Sequence, residues 1–336
     1  MVAASSIAAD GISTAMARFS VCIVTPALAK ANNGNWQTAS RWARLLSPDY
    51  RVRIVERWAG EPADAMLALH ARRSAESIAR WASARPRAPL AVVLTGTDLY
   101  RDIATDAAAQ RSLQLADRLV VLHELACADL PAVHRSKCRV CLQSATARQR
   151  LPRSSRHLRA LMVGHLREEK SPRTYFEAAR RLAARPDIRL DHIGAALDSA
   201  LGDEARALQA SGAHYRWLGA LSHAATRRRI QQAHVLVHPS RMEGGAHVVI
   251  EALQSGTPVL ASRIAGNVGL LGTGYGGYFE PGDAAGLAAL LARCRDAPSM
   301  LATLGTQCDA RAPLFEPARE RENLHALLAD LLENSR

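Results

Sequence analysis

The sequence predicts an α/β protein built as two doubly wound, Rossmann-like domains that face each other across a cleft. Apolar, β-branched runs alternate with amphipathic stretches along most of the chain. That alternation occurs twice, with a polar, arginine-rich break between the two halves. At 336 residues the chain also exceeds what one hydrophobic core fills, since single cores stop growing near about 250–300 residues.

Residues 1–18 lack the basic start and compact apolar core of a signal peptide and are expected to be a disordered extension before the first strand. The first domain is expected over 19–150. "FSVCIVTP" (19–26) reads as a buried strand, followed by the loop "ALAKANNGN" and the amphipathic helix "WQTASRWARLL". Next come "YRVRIVE", "AMLALHA", the helix "RRSAESIARWASA" and the strand "PLAVVLTGTD". A helix near 108–116, the strand "RLVVLH" and an edge strand near Val140 complete the half. "ATARQRLPRSSRH" (145–157) has the composition of a linker.

The second domain, expected over 156–315, repeats the plan. "LRALMVG", "IRLDHIG", "HYRWLG", "AHVLVHPS" and "VLAS" are strands, separated by helices such as "RTYFEAARRLAA" and "HAATRRRIQQA". "GGYFEPGD" and the helix "AAGLAALLARCRD" follow. The last segment, 316–336, forms one more amphipathic helix that can pack back on the first domain.

Composition narrows the functional class. Hydrophobic residues make up 48% and charged residues 22%, as in a globular protein, and no apolar run approaches the ~18 residues of a membrane span. The net charge of +12 comes almost wholly from arginine, since Lys30, Lys137 and Lys170 are the only lysines. Those arginines are scattered, and aromatics are only 4%, so the charge argues against nucleic acid and suits a phosphorylated small molecule. Six cysteines do not make a disulfide framework, and the Cys138–Cys141 spacing stands without a second pair. The expected location is the cytoplasm.

The densest signal is "HPSRMEGGAHVVIEALQSGTPVL" (238–260), in which Glu243 and Glu251 flank the start of a helix. Glu243 falls beyond a strand's carboxyl end, where such sheets bind ligands. Gly244 and Gly245 are placed at a helix N-terminus, whose free N–H groups favour an anion. "VGHLREEKSP" (163–172) sets Arg167 and Lys170 after another strand, a cation pair suited to phosphate. Trp217 lies at a third strand end. No D-x-D pair occurs, so no metal and no cofactor are expected. A cation pair and a helix N-terminus would instead neutralise a diphosphate leaving group.

These strings resemble the retaining GT-B glycosyltransferases of family 4: the two glutamates with "SGTPVLAS" after them, "VGHLREEKSP", and "YFEPGD". The resemblance runs from about Phe19 to the C-terminus. It implies Arg167 or His165 with Lys170 on the diphosphate of a UDP-sugar, Glu243 with the Gly244 and Gly245 amides near the donor sugar, and Glu251 on the ribose. His165 stands where that family usually has arginine.

Within the first half, "WARLL", "LALHARRSAESI", "LTGTDLYRDI", "LADRLVVLH" and "QSA" resemble the selenosugar synthases of selenoneine biosynthesis, the SenB family. That resemblance implies transfer of a UDP-activated sugar to selenophosphate, held by the first domain. His70, Arg72, Arg73 and Arg101 are the candidate cations for this anion, since an arginine fork suits phosphate oxygens. Asn35, Thr97 and Asp98 are candidate contacts for sugar or acceptor, and Trp36 stands where a basic residue is expected. A glycosyltransferase acting on a hydroxyl acceptor is the rival within the fold. A nucleotide-sugar or nucleic-acid binding protein is the rival outside enzymes.

Overall fold

The computed structural model describes residues 18–28 and 34–333. Residues 1–17, which make up most of the expected extension, lie outside it.

The first domain begins with β1 (Ser20–Val24), α1 (Gly34–Leu46), β2 (Arg51–Val55) and β3 (Ala65–Leu69). It continues through α2 (Ala75–Ala84), β4 (Leu90–Val93), a helical turn at Asp98–Asp102 and α3 (Ile103–Thr105). It closes with α4 (Ala107–Leu115), β5 (Arg118–Val121), α5 (Ala126–Asp129) and β6 (Cys138–Val140). Its sheet is parallel, in the order β2-β1-β3-β4-β5-β6.

The second domain opens with β7 (Leu158–Val163), a turn at Glu168–Lys170, α6 (Pro172–Arg181) and β8 (Ile188–Ile193). Then come α7 (Ser199–Ala210), β9 (Tyr215–Trp217), α8 (His223–Gln232), β10 (Val235–His238) and α9 (His247–Leu253). β11 (Val259–Ser262), α10 (Ala265–Leu271), β12 (Tyr278–Phe279), α11 (Ala284–Asp296) and α12 (Pro298–Arg311) precede the final helix, α13 (Pro317–Glu333). This sheet is also parallel, ordered β12-β11-β10-β7-β8-β9.

Both sheets are therefore doubly wound, and each has a point where the strand order reverses. Ligands of such sheets bind outside the carboxyl ends at that point. In the first domain it lies between β1 and β3, and in the second between β7 and β10. That is where the loops carrying Lys170 and Glu243 run side by side.

The strands are near-continuous apolar runs because helices cover both faces of the first sheet. One side packs Trp58, Ile78 and Trp81, and the other packs Ile23, Trp42 and Leu46. The second side is completed by Leu324, Leu327, Leu328 and Leu331 of α13, which line one stripe at helical spacing. The last helix thus returns to the first domain, and the carboxylate of Asp330 fastens it to Arg118 of β5.

Some features depart from the sequence reading, among them α12, for which no element was expected. The glycine-rich stretch "IAGNVGLLGTG", given no element in the sequence reading, contains α10 over residues 265–271. Gly269 lets this helix approach the first domain, since a Cβ there would sit 2.5 Å from His123 Nδ1. Cys138 is disulfide-bonded to Cys127 of α5 rather than standing free beside Cys141, which is buried.

Candidate active site

The loop after β10 presses its glycines onto the first domain. A Cβ on Gly244 would lie 2.4–2.6 Å from the Thr95 and Gly96 backbone, and one on Gly245 would meet Leu122 at 2.6 Å. Only glycine allows that contact. α9 itself starts at His247, so Gly244 and Gly245 belong to the loop leading into the helix and not to its first turn.

Glu243 turns toward β7, where Lys170 Nζ lies 2.5 Å from its Oε1. His238, at the end of β10, brings Nε2 to 3.2 Å from the same oxygen. Burial pushes this carboxyl upward, but Lys170 and His238 outweigh it and hold it well below the usual carboxylate range. Arg167 makes no ion pair among the described residues, and its Nε is buried without a partner. Next to it, His165 accepts the Ala195 N–H through Nδ1 at 3.0 Å, which leaves Nε2 to carry the proton. Burial and the charges of Arg167 and Lys170 keep His165 below the ordinary histidine range. Its Nε2–H is therefore a donor that burial keeps neutral.

Glu251 is the second buried carboxylate. His223, at the start of α8, places Nε2 2.5 Å from its Oε1, while His247 and Arg227 stand at 3.5 and 3.8 Å. Burial again works upward, and His223, His247 and Arg227 hold the group ionised well below its normal range. For both glutamates the folded value lies under the unfolded one. Their stabilisation is complete above about pH 4.5 and is lost as the pH falls below it. Trp217 stands aside from both: its indole N–H donates to the Gly194 carbonyl at 2.8 Å, so no donor remains for a ligand.

Across the cleft, His70 has a left-handed backbone (φ 72°), a sparsely populated conformation for a residue with a side chain. Its Nε2 is 3.1 Å from the Thr97 hydroxyl, and burial depresses its pKa despite nearby Asp98. Asp98 has no oxygen free for a substrate. Its carboxylate accepts from the Ala71, Thr95 and Gly96 N–H groups at 2.9–3.0 Å and pins two strand-end loops together.

The expected cation cluster is largely neutralised. Arg72 and Arg101 both bond Asp102, at 2.8 and 3.1 Å, and Arg101 also reaches Glu169 of the second domain at 3.4 Å. Arg73 alone of the three arginines makes no ion pair among the described residues. Asn35 lies in the first turn of α1, a turn without an acidic residue. The site thus brings Lys170, Glu243, Arg167, His165 and Glu251 to one sheet's carboxyl end. His70, Arg73 and Thr97 lie in the loops after β3 and β4 of the first domain, and Asn35 lies at the start of α1.

Sequence reasoning missed His223 and Arg227 of α8, whose partner Glu251 comes from α9, and read His238 as a satisfied near-core histidine rather than a partner of Glu243. His247 was legible, because it precedes Glu251 by four residues on a helix. It also missed His123, buried at the end of β5 with Nε2 2.6 Å from the Tyr100 hydroxyl. Burial lowers His123, and likewise the core His192, from 6.5 to about 4. An unfolded chain protonates these imidazoles first, so their stabilisation is full above pH 6.5 and falls away toward pH 4. The loss is on the order of 3 kcal/mol each. His123→Gln, which keeps a donor for Tyr100, should therefore lose less stability than the parent between pH 6.5 and 4. Equal pH slopes in thermal melts would show that His123 does not contribute.

Residues 143–307 match the family model described as Glycosyl transferases group 1. No sequence among the curated proteins matches the chain. The fold is similar to that of a sucrose-phosphate synthase from Thermosynechococcus elongatus, with TM-score 0.76 and 16% identity over 94% of this chain and 100% of that one. It is similar to Anabaena HepE, solved with UDP and glucose, at TM-score 0.73 and 15% identity over the same shares. The pneumococcal O-GlcNAc transferase GtfA superposes with TM-score 0.62 and 18% identity over 80% of this chain and 57% of its own. With a group 1 glycosyl transferase domain over residues 143–307 and the GT-B arrangement of two facing parallel sheets, the chain is a glycosyltransferase.

Proposed function

We propose that this glycosyltransferase moves a sugar from a UDP-sugar to selenophosphate. The observation that carries the donor half is the pairing of Lys170 with Glu243 where the strand order reverses, beside an Arg167 that no carboxylate neutralises. In this reading Arg167, Lys170 and the His165 Nε2–H take the diphosphate. Glu243 and the Gly244 and Gly245 amides face the sugar, and Glu251 accepts from the ribose hydroxyls. HepE, of like fold, is a complex with UDP and glucose, which supports a uridine nucleotide as donor.

The chemistry needs little from a base. Selenium attacks the anomeric carbon as the bond from that carbon to the diphosphate oxygen breaks, and UDP departs with the electron pair. Water then cleaves the selenium–phosphorus bond, leaving the selenosugar and inorganic phosphate. Preorganised cations at the departing oxygen are worth roughly 3–4 kcal/mol each. Arg167 and Lys170 supply that charge, so we propose turnover without a divalent metal.

The acceptor half rests on the first-domain strings that resemble the selenosugar synthases, with Arg73 and the N-terminus of α1 as the positive features of that side. The neutralisation of Arg72 and Arg101 by Asp102 favours the second reading, a sugar or alcohol hydroxyl as acceptor. One experiment separates them. The protein is incubated with UDP-glucose or UDP-N-acetylglucosamine and selenophosphate, with EDTA present, and products are read by mass spectrometry. A selenosugar with stoichiometric UDP is expected. UDP release only with hydroxyl acceptors would overturn the acceptor, and rescue of an EDTA-silenced reaction by Mg²⁺ would overturn metal independence.

A further inference from the structure

Glu251 sits on α9, but the groups that hold it reach into the segment joining the domains. His247, whose Nδ1 faces Glu251, donates through Nε2 to the Ser144 carbonyl at 3.0 Å. Arg227, also beside Glu251, donates to the Thr146 carbonyl at 2.8 Å. Ser144 and Thr146 lie between β6 and β7, where the chain leaves the first domain. Two of the three side chains around this carboxylate are thus shared with the connection.

Ser144 is gripped from its other side by Glu320 of α13. Its N–H and hydroxyl both donate to Glu320 Oε2, at 2.8 and 2.5 Å. The same carboxylate takes the Trp42 indole N–H at 2.7 Å and the Arg41 guanidinium at 2.8 Å, both from α1. Glu320 is 1% exposed, so each of these bonds is made away from solvent. A buried carboxylate requires partners wherever it sits. That requirement does not explain why one partner's carbonyl should hold the histidine one helical turn from Glu251.

We infer that Glu320, Ser144 and His247 are positioning residues for the donor nucleotide. Glu320 fixes Ser144, Ser144 orients His247, and His247 holds the Glu251 carboxylate in the rotamer that meets the ribose. Donor affinity is thereby coupled to the junction between domains. This rests on the ribose role of Glu251 proposed above.

The test is UDP affinity by calorimetry for the parent, Glu320→Gln, His247→Ala, the double variant, Ser144→Ala and His247→Gln. Glu320→Gln should weaken UDP about three- to tenfold and His247→Ala about tenfold, the scale of a lost hydrogen bond to a charged group. The double variant should bind no worse than His247→Ala, because both changes cut one path. His247→Gln, which keeps a donor for the Ser144 carbonyl, should recover part of the loss. Glu320→Gln and Ser144→Ala binding UDP like the parent, or additive losses in the double variant, would reduce Glu320 to a packing role. Should Glu320→Gln fail to fold, Ser144→Ala carries the same comparison. Parent-like binding by Glu251→Gln would instead remove the ribose role itself.

Discussion

Lys170→Ala should lower turnover at saturating donor and acceptor by about 10²–10³-fold, because the proposed mechanism sets Lys170 and Arg167 against the departing diphosphate. The substitution has a second consequence. It strips the buried Glu243 of its nearest cation, and breaking such a pair typically costs 3–5 kcal/mol. Thermal stability should therefore fall together with activity. Adding Glu243→Gln removes the stranded charge, so the double variant should melt nearer the parent while its kcat stays low. Stability and turnover recovering together would mean that Lys170 serves only to neutralise Glu243. A single variant with kcat within about threefold of the parent would place the leaving-group charge elsewhere, with Arg167 the first alternative.

Glu251→Gln should weaken UDP and the UDP-sugar alike, by roughly ten- to a hundredfold, the value of charge-assisted hydrogen bonds of 1.5–3 kcal/mol. The carboxylate is ionised at neutral pH because His223, His247 and Arg227 surround it. An amide in its place accepts through one oxygen and turns an NH₂ toward those side chains. The UDP dissociation constant by calorimetry checks this, and an affinity equal to the parent's would take Glu251 out of the nucleotide site. kcat at saturating donor should change far less than in Lys170→Ala, since a ribose contact contributes alike to the ground and transition states.

The donor side was legible in the sequence because its signals are local. Glu243, the glycines and Glu251 sit on one strand–loop–helix unit, and "VGHLREEKSP" sits on another, so each declares its strand end. Their meeting follows from parallel pairing of β7 with β10, which alternation of strands and helices implies but does not order. The acceptor side was less legible. Arg72 and Arg101 read as free cations because their counter-charge, Asp102, meets Arg72 only through the folding of two separate loops. Asp98 reads as a contact for sugar or acceptor, yet three backbone N–H groups from two loops converge on it. The Cys138–Cys141 spacing gave no sign of where Cys138 pairs. The strand instead buries Cys141, and Cys138 joins Cys127 of α5.

The claim at the centre of this account is that the second domain holds a uridine nucleotide between the β7 loop and α9. A crystal structure of the protein with UDP tests it most directly. The account predicts the diphosphate against Arg167 and Lys170, and both ribose hydroxyls on Glu251 with His223 moved away from that carboxylate. UDP bound elsewhere, or bound with the His223–Glu251 contact intact and the ribose free of Glu251, would contradict it.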